Sequence, residues 1–308
     1  MAGVLIFSEN QGLALEVLTA ANSIKATAVS ACVINNDEQA QALASAGVQV
    51  YSVNNNDLLM ADVGAIAGAI KQVADKAGAD TVLLASNRRG KELAGRLAQA
   101  MNAGCLTDVA ALNIEGDKIL CQRNALGGAT VATQYIDAGK KVIAIRPRTF
   151  EAAAGTGAGS VEEVAVEVKK AGVTVLEFKS RVGDTVDIEA AEVLVAVGQG
   201  LNSQDDLPAV EELAKKLGGE VACSKPVATD KKWLSEERII GLSGKKCKPQ
   251  LAMLLGISGQ VQFTVGIRDA KTIVAVNSDE NASINQMADY IITADLHDVV
   301  AEMNKKLG

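Results

Sequence analysis

Short apolar runs alternate with amphipathic segments along the first hundred residues of the chain. The runs at Val4–Phe7, Thr27–Val33, Val48–Tyr51 and Thr81–Ala85 predict buried strands. The segments between and after them have helical periodicity and predict helices at Leu13–Ser23, Glu38–Leu43, Asp62–Ala77 and Arg88–Asn102. Regular strand–helix alternation predicts parallel strands that are joined by right-handed crossovers.

The pattern changes after Thr107-Asp108, where strands become short and turns become tight. Predicted strands lie at Ala111–Ile114, Ile119–Arg123, Val131–Tyr135 and Val142–Ile145. The Gly116-Asp117 pair between the first two of these strands is a hairpin signal. Small residues at 150–160 predict an exposed loop or linker, and a strand pair at Val161–Val168 and Val173–Phe178 is expected to follow.

A second strand–helix alternation covers residues 192–306. Its predicted strands are Val193–Val197, Glu220–Cys223, Leu251–Leu255, Thr272–Val276 and Asp289–Thr293. Ser203 is expected to cap the helix Asp205–Leu217, Ser258 to open a helix, and Asp295 to start the last one. The fold class is therefore α/β with two domains, residues 1–183 and 184–308, each a mainly parallel sheet flanked by helices.

Composition and charge narrow the classes of function. The chain is 48% hydrophobic and 3% aromatic, so its cores are built from aliphatic residues. A net charge of 30 minus 37, or −7, and the lack of a basic patch argue against a nucleic-acid partner. The sequence contains no run of about 20 apolar residues, so no membrane span is predicted. The chain begins directly in a predicted strand, and we expect a cytoplasmic protein.

Cysteine and histidine usage bears on catalysis. Five scattered cysteines without a ligand-like spacing predict reduced thiols that pack in a cytosolic protein, and no metal site. The only histidine, His297, follows the start of the last predicted helix and is expected to cap or decorate its surface. Histidine-based acid–base chemistry is therefore nearly excluded, and we expect no catalytic residue set.

Glycine, serine or asparagine residues stand at five predicted strand ends in the second half. They are Gly198–Gly200, Ser224, Ser243-Gly244, Ser258-Gly259 and Asn277. Open α/β sheets bind nucleotides at the edge where parallel strands end, and glycine lets backbone N–H groups approach a phosphate. Each glycine alone is equally compatible with a tight turn, and Gly198-x-Gly200 lacks the third glycine of the dinucleotide fingerprint. The five together predict a nucleotide site.

Several longer motifs carry a resemblance to a known family. They are Gly198-Gln-Gly-Leu201, Cys223-Ser-Lys-Pro226, Trp233 to Lys245, Leu255 to Gly266, Thr272 to Asn277, Ala288-Asp-Tyr290 and Ala294-Asp295, with Ser86 to Ala94, Leu106-Thr-Asp-Val109, Arg123 and Gly127-Gly128 in the first half. In this order they resemble the electron transfer flavoprotein alpha subunit over nearly the whole chain.

The resemblance implies a heterodimer with a beta subunit, which contacts the N-terminal domain, and one FAD on a Rossmann-like C-terminal domain. It also implies a dehydrogenase as redox partner and an electron carrier rather than an enzyme. The FAD-contacting positions it implies are Gln199, Ser224, Lys225, Ile240, Gly241, Leu242, Ser243, Gly244, Ser258, Gly259, Gln260, Val261, Gln262, Phe263, Asn277, Asp295 and Leu296. Ser258 and Gly259 would hold the phosphate and ribityl region, Ser243 would lie near flavin N5, and Asn277 and Asp295 would lie towards the AMP half.

Three residues depart from the family pattern. The family usually has arginine where this chain has Gln199 and Lys225, and histidine where it has Phe263. Lysine keeps the charge but loses the planar fork of arginine, and Phe263 removes a donor that would face the flavin N1–C2=O edge. These departures motivate an alternative, a non-redox nucleotide-binding scaffold subunit that has lost or altered flavin binding. Whether the complex bifurcates electrons stays open.

Overall fold

Two sheets hold the strands of the part of the chain that the structure describes. The computed structural model describes residues 3–24, 26–128, 130–155, 157–170, 172–177 and 186–308. The chain divides into two compact units, residues 1–178 and residues 179–308. The domain boundary predicted near residue 183 lies outside the described residues.

The first unit contains a mixed sheet of nine strands. Its strands are β1 (Gly3–Phe7), β2 (Val29–Ile34), β3 (Gln49–Val53), β4 (Ala79–Ala85), β5 (Gly104–Glu115), β6 (Lys118–Ala125), β7 (Thr130–Gln134), β8 (Lys141–Ile145) and β9 (Ser160–Glu163). They are arranged in the order β7-β6-β5-β8-β4-β1-β2-β3-β9. The β5–β6 and β6–β7 pairs are antiparallel and the other pairs are parallel.

Side-chain caps fix where the helices of this unit begin. The helices are α1 (Gln11–Ser23), α2 (Asp37–Ser45), α3 (Val63–Ala77) and α4 (Arg88–Met101). Asn10, Asn36, Asp62 and Asn87 each accept a hydrogen bond from the backbone N–H three residues later. Such caps satisfy N–H groups that a helix start leaves without a partner. The four predicted helices are therefore confirmed, with shifts of a few residues at their ends.

The predictions for the short strands after residue 107 are confirmed in part. Gly116 adopts φ +60 at the predicted β5–β6 hairpin. The predicted strand at Val161–Val168 is shorter, because only β9 pairs with β3. Residues 172–177 are not a strand, and Phe178 lies outside the described residues. Leu176 is 92% exposed, so the apolar alternation in that segment has no surface to pack against.

The second unit contains a wholly parallel sheet of five strands. Its strands are β10 (Val193–Val197), β11 (Glu220–Cys223), β12 (Leu251–Leu255), β13 (Thr272–Asn277) and β14 (Tyr290–Thr293), and its helices are α5 (Leu207–Lys216), α6 (Lys225–Thr229), α7 (Val261–Thr264) and α8 (Leu296–Lys306). The order β11-β10-β12-β13-β14 is that of a doubly wound sheet, and its direction switches between β10 and β12. The α/β fold class is confirmed.

The central strands of this sheet are buried on both faces. Val195 and Leu255 point into one aliphatic core with α5 and α8. Leu194 and Leu254 point into the other core. Burial on both faces explains why these strands are continuous apolar runs in the sequence rather than alternating ones.

All five cysteines are free thiols. Burial raises the pKa of Cys32 and of Cys223 to about 12, so their thiolates are not formed near neutral pH and the side chains act as packing residues. Among the described helices, none has the length and apolar character needed to cross a bilayer.

Candidate nucleotide-binding site

The strand register of the second sheet aligns the carboxyl ends of its strands. Val197 lies opposite both Cys223 and Leu255, and Leu255 lies opposite Val276. The segments that follow these strands therefore emerge at a common edge. Nearly all of the residues predicted to contact FAD lie on these segments or on the turn after Ile239, which is bridged to Cys223.

Glycines close the sheet at its switch point by backbone contact. The Gly198 N–H donates to Leu255 O at 2.9 Å, and the Gly200 N–H donates to Gly256 O at 3.0 Å. A Cβ at Gly198 would lie 2.3 Å from Gly256 O. These glycines therefore pack two turns together, while Gln199 between them is exposed at the edge.

Another glycine, Gly259, shapes the loop after β12. Gly259 has φ +92, and a Cβ there would lie 2.2 Å from the backbone nitrogen of Ile284. The Ile284 N–H donates to Ser258 O at 3.1 Å, so the loop is tied to the segment after β13.

The predicted helix start at Ser258 is wrong. The helix begins at Val261, because residues 258–260 are held in this turn.

Backbone N–H groups of residues 258–262 form a continuous donor run. None of these five N–H groups has a hydrogen-bond acceptor within the described ranges. The side chains of Ser258, Gln260, Val261 and Gln262 are exposed, so the segment is open to solvent. Successive free N–H groups attract anions such as phosphate. The donor run therefore fits the diphosphate of a dinucleotide.

Phe263 lies in the core rather than at this surface. Its side chain is 7% exposed and belongs to the apolar cluster that includes Ile240, Ile257 and Ile267. The ring is therefore a packing residue in this structure, and the loss of a donor towards the flavin edge at this position stays a prediction. A contact through its backbone stays a prediction.

The turn after Ile239 lies against α7. Ile240 N–H donates to Cys223 O at 2.9 Å, and Leu242 N–H donates to Gln262 O at 2.8 Å. Gly241 has φ +133, a conformation that favours glycine. Ile240 is buried, whereas Leu242, Ser243 and Gly244 are exposed. The turn thus presents three of the predicted residues beside the donor run.

A lysine side chain, Lys225, lies just after the end of β11. Ser224 N–H donates to Val197 O at 3.0 Å, which fixes the backbone where α6 begins. Lys225 follows and is exposed, and its ammonium group has no partner among the described side chains. The positive charge is therefore available to an anionic ligand at this edge.

The side chain of Asn277 forms hydrogen bonds within the protein. Its side-chain Nδ2 donates to Ile257 O at 3.0 Å, and its Oδ1 accepts from Asp279 N–H at 3.0 Å. The side chain therefore ties the loop after β12 to the loop after β13. Its assignment as an FAD contact stays a prediction.

Asp295 and His297 take part in a network that the sequence did not reveal. Asp295 caps α8 by accepting the His297 N–H at 2.8 Å, and His297 Nδ1 lies 2.7 Å from the same oxygen. His297 Nε2 lies 3.1 Å from an oxygen of Asp206, which precedes α5. Hydrogen bonding to Asp295, and then to Asp206, raises the pKa of His297. Leu296 beside them is buried.

Most of the predicted FAD-contacting residues at the candidate edge are exposed. A small apolar cavity lies in the first unit, among Phe7, Met60, Leu84 and Leu93. None of the predicted FAD-contacting residues lines that cavity. A ligand on the second sheet would therefore contact mainly exposed residues of this unit.

Comparison with known protein families decides the relationship. Residues 187–268 match the family described as electron transfer flavoprotein FAD-binding domain, and residues 5–171 match the electron transfer flavoprotein domain. The chain belongs to the electron transfer flavoprotein alpha-subunit family. The FAD-binding match covers the first three strands of the second sheet and the 258–262 donor run of this electron transfer flavoprotein chain.

Relatives cover the chain from end to end. Protein FixB of Escherichia coli O6:K15:H31 is 33% identical over 99% of this chain and 98% of its own length. Protein FixB of Shigella flexneri is 32% identical with the same coverage. Among solved structures, glycosyltransferase VinC in complex with DTDP covers 100% of this chain and 91% of its own at 10% identity and a TM-score of 0.30, too low to support an argument.

Proposed function

We propose that this chain is the FAD-binding alpha subunit of a heterodimeric electron transfer flavoprotein. The proposal depends on one observation: five consecutive backbone N–H groups at 258–262, without an acceptor within the described residues, lie at the carboxyl edge of a domain that matches the FAD-binding model. An exposed cation, Lys225, follows the end of β11 at this edge. Together they provide the charge and donors that a dinucleotide diphosphate needs.

The residues of this chain bind and orient the cofactor, and bound FAD supplies the one- and two-electron chemistry. The 258–262 donor run holds the diphosphate. Lys225 offers positive charge, and the Ser243 hydroxyl provides a donor towards the flavin ring. Asp295 and Asn277 shape the part of the site assigned to the AMP half. In this proposal the chain acts as an electron carrier, and bond-making on carbon substrates belongs to the dehydrogenase that is its redox partner.

A beta subunit completes the site. Ser258, Gln260 and Gln262 at the candidate edge are exposed, so the residues of this unit alone do not shield a flavin bound there from water. Shielding matters because the local dielectric and solvent access tune the potential of a redox cofactor. We therefore expect the heterodimer to retain FAD better than this chain alone, and to exchange electrons with a dehydrogenase and an acceptor.

Gln199 and Lys225 favour a second candidate, a nucleotide-binding scaffold subunit without redox function. Both positions lie at the exposed edge and lack the arginine that is usual in the family. Phe263 carries less weight in this argument than the sequence suggested, because its side chain packs in the core.

Co-expression with the beta subunit separates the two functions. The complex is purified by gel filtration, and the cofactor is released and identified by chromatography. A yellow complex that contains one FAD per alpha chain supports the carrier. A colourless complex that does not regain colour with added FAD, but retains another nucleotide, supports the scaffold.

Removing the charge at Lys225 should weaken FAD binding. We expect Lys225→Gln to raise the FAD dissociation constant by about 10- to 100-fold, as for loss of a hydrogen bond to a charged group. Lys225→Arg should bind at least as well as the native chain, because it restores a planar fork. Lys271→Gln, at the amino end of β13, is the matched control. Equal affinity of Lys225→Gln and the control, measured by flavin fluorescence, would contradict this role.

A further inference from the structure

The only histidine of the chain lies between carboxylates from two segments. Nδ1 of His297 lies 2.7 Å from Asp295 Oδ1, and Nε2 lies 3.1 Å from Asp206 Oδ2. Asp295 caps α8, and Asp206 directly precedes α5. The two contacts therefore join the starts of two helices that pack on the same face of the second sheet.

The chemistry of imidazole selects one protonation state for this geometry. A neutral ring has a single N–H donor, whereas the imidazolium ion has two. Both ring nitrogens of His297 approach carboxylate oxygens, which only accept. Full satisfaction of the two contacts therefore requires the charged ring, and loss of its proton leaves one nitrogen facing an oxygen without a hydrogen between them.

The joined segments are those that carry predicted FAD contacts. Asp206 Oδ2 also accepts the Ser203 N–H at 3.0 Å, which holds the segment that runs from Gln199 at the end of β10. Asp295 and Leu296 lie on the other segment. The Leu296 side chain packs against Gly256 so closely that a Cβ added at Gly256 would lie 2.8 Å from Leu296 Cδ2. His297 is thus linked by contacts to segments on both sides of the candidate site.

We propose that protonated His297 is a positioning residue that clamps the segments 199–206 and 294–296 together, so that FAD is held more tightly when this ring is charged. This inference rests on the proposed function and extends it to regulation by pH. The charged groups that face His297 are Asp295 on its own helix and Asp206 on the neighbouring segment. Asp298 and Asp205 adjoin them in the sequence, and both are acidic as well.

The direction of the pH dependence follows from these contacts. The pKa of His297 is raised by the hydrogen bond to Asp295 and by Asp206. A raised pKa means that the clamp is complete below the ordinary value of about 6.5 and is lost as pH rises through the higher folded value. The pKa of Asp295 is lowered through its bonds to His297, so Asp295 stays ionised throughout that range.

FAD affinity of the heterodimer should therefore fall as pH rises from about 6 to about 9. We expect a loss of about two- to five-fold, since His297 is 34% exposed and solvent screens the pairs. His297→Gln should show the weak affinity at every pH. His297→Arg, which keeps the charge and can donate to both carboxylates, should bind tightly at every pH.

Asn304→Ala is the matched control, because it removes another α5–α8 contact, from Asn304 Nδ2 to Ala209 O at 2.8 Å, without a change of charge. Its pH profile should match that of the native chain. A native profile that is flat, or that His297→Gln leaves unaltered while FAD still binds, overturns the clamp. Failure of every variant to bind FAD at pH 6 would instead reject the proposed function.

A nuclear magnetic resonance titration tests the clamp without FAD. The His297 ring signal, identified by its loss in His297→Gln, should titrate above the ordinary histidine value. Asp206→Asn should move that titration to lower pH. An ordinary value in the native chain, or one that Asp206→Asn does not change, would overturn the clamp.

Discussion

Replacing Gly259 by alanine is expected to abolish FAD retention by the heterodimer. Gly259 adopts φ +92, and an alanine Cβ would lie 2.2 Å from the backbone nitrogen of Ile284. Left-handed strain and overlap with backbone together cost about 2–5 kcal/mol, which corresponds to roughly 30-fold or more if the loop moves to relieve them. The loop cannot move without displacing the adjoining N–H groups that we assign to the diphosphate.

Gly218→Ala is the control for this change. Gly218 also has a positive φ, of +68, but a Cβ there meets nothing within 4 Å. It ends α5 at the edge opposite the site, so we expect a small loss of stability and normal FAD content. Flavin content is measured after gel filtration of both heterodimers. Full occupancy in Gly259→Ala would show that the loop after β12 does not hold the cofactor.

Phe263→Ala should destabilise the second unit by about 3–5 kcal/mol. Its ring is 7% exposed and fills the core beside Ile240 and Ile257, so truncation leaves a cavity in addition to the lost burial. The measurement is the free energy of unfolding in urea, followed by circular dichroism. A ring that instead faced the flavin from the surface would give little loss of stability in the flavin-free chain.

Val261→Ala provides the comparison within the same short helix. Val261 is 62% exposed, so its truncation should change the free energy of unfolding by less than about 0.5 kcal/mol. Similar losses in the two variants would contradict the assignment of Phe263 to the core.

The second sheet could be predicted from the sequence because its strands are unambiguous. The central runs Val193–Val197 and Leu251–Leu255 are apolar at every position, which is what burial on both faces requires. Glycines and polar residues shortly after these runs marked the edge where a ligand would lie. Because parallel strands end at one edge of a sheet, the sequence alone predicted that most of the candidate site residues lie together.

Details set by distant contacts could not be predicted. Ser258 has the composition of a helix cap, but its carbonyl is bound by Ile284 and the helix starts at Val261. The alternation at 173–177 is typical of a strand, yet no neighbouring strand pairs with it in the described residues. Local pattern cannot report whether a partner strand or a packing surface exists.

Side-chain direction was the other missing information. Phe263 occupies a position where the family pattern suggested a surface donor, and only the packing of α7 shows that its ring points inward. His297 and Asp206 are 91 residues apart in the sequence, so no spacing rule joins them. The one available signal was a lone histidine two residues after a helix-capping aspartate.

The structure of the heterodimer with its retained cofactor tests the central claim most directly. We predict FAD on the carboxyl edge of the second sheet, with its diphosphate oxygens within hydrogen-bond distance of the N–H groups of residues 258–262. An edge that is empty in the presence of the beta subunit, or that holds an unrelated molecule, would contradict the assignment.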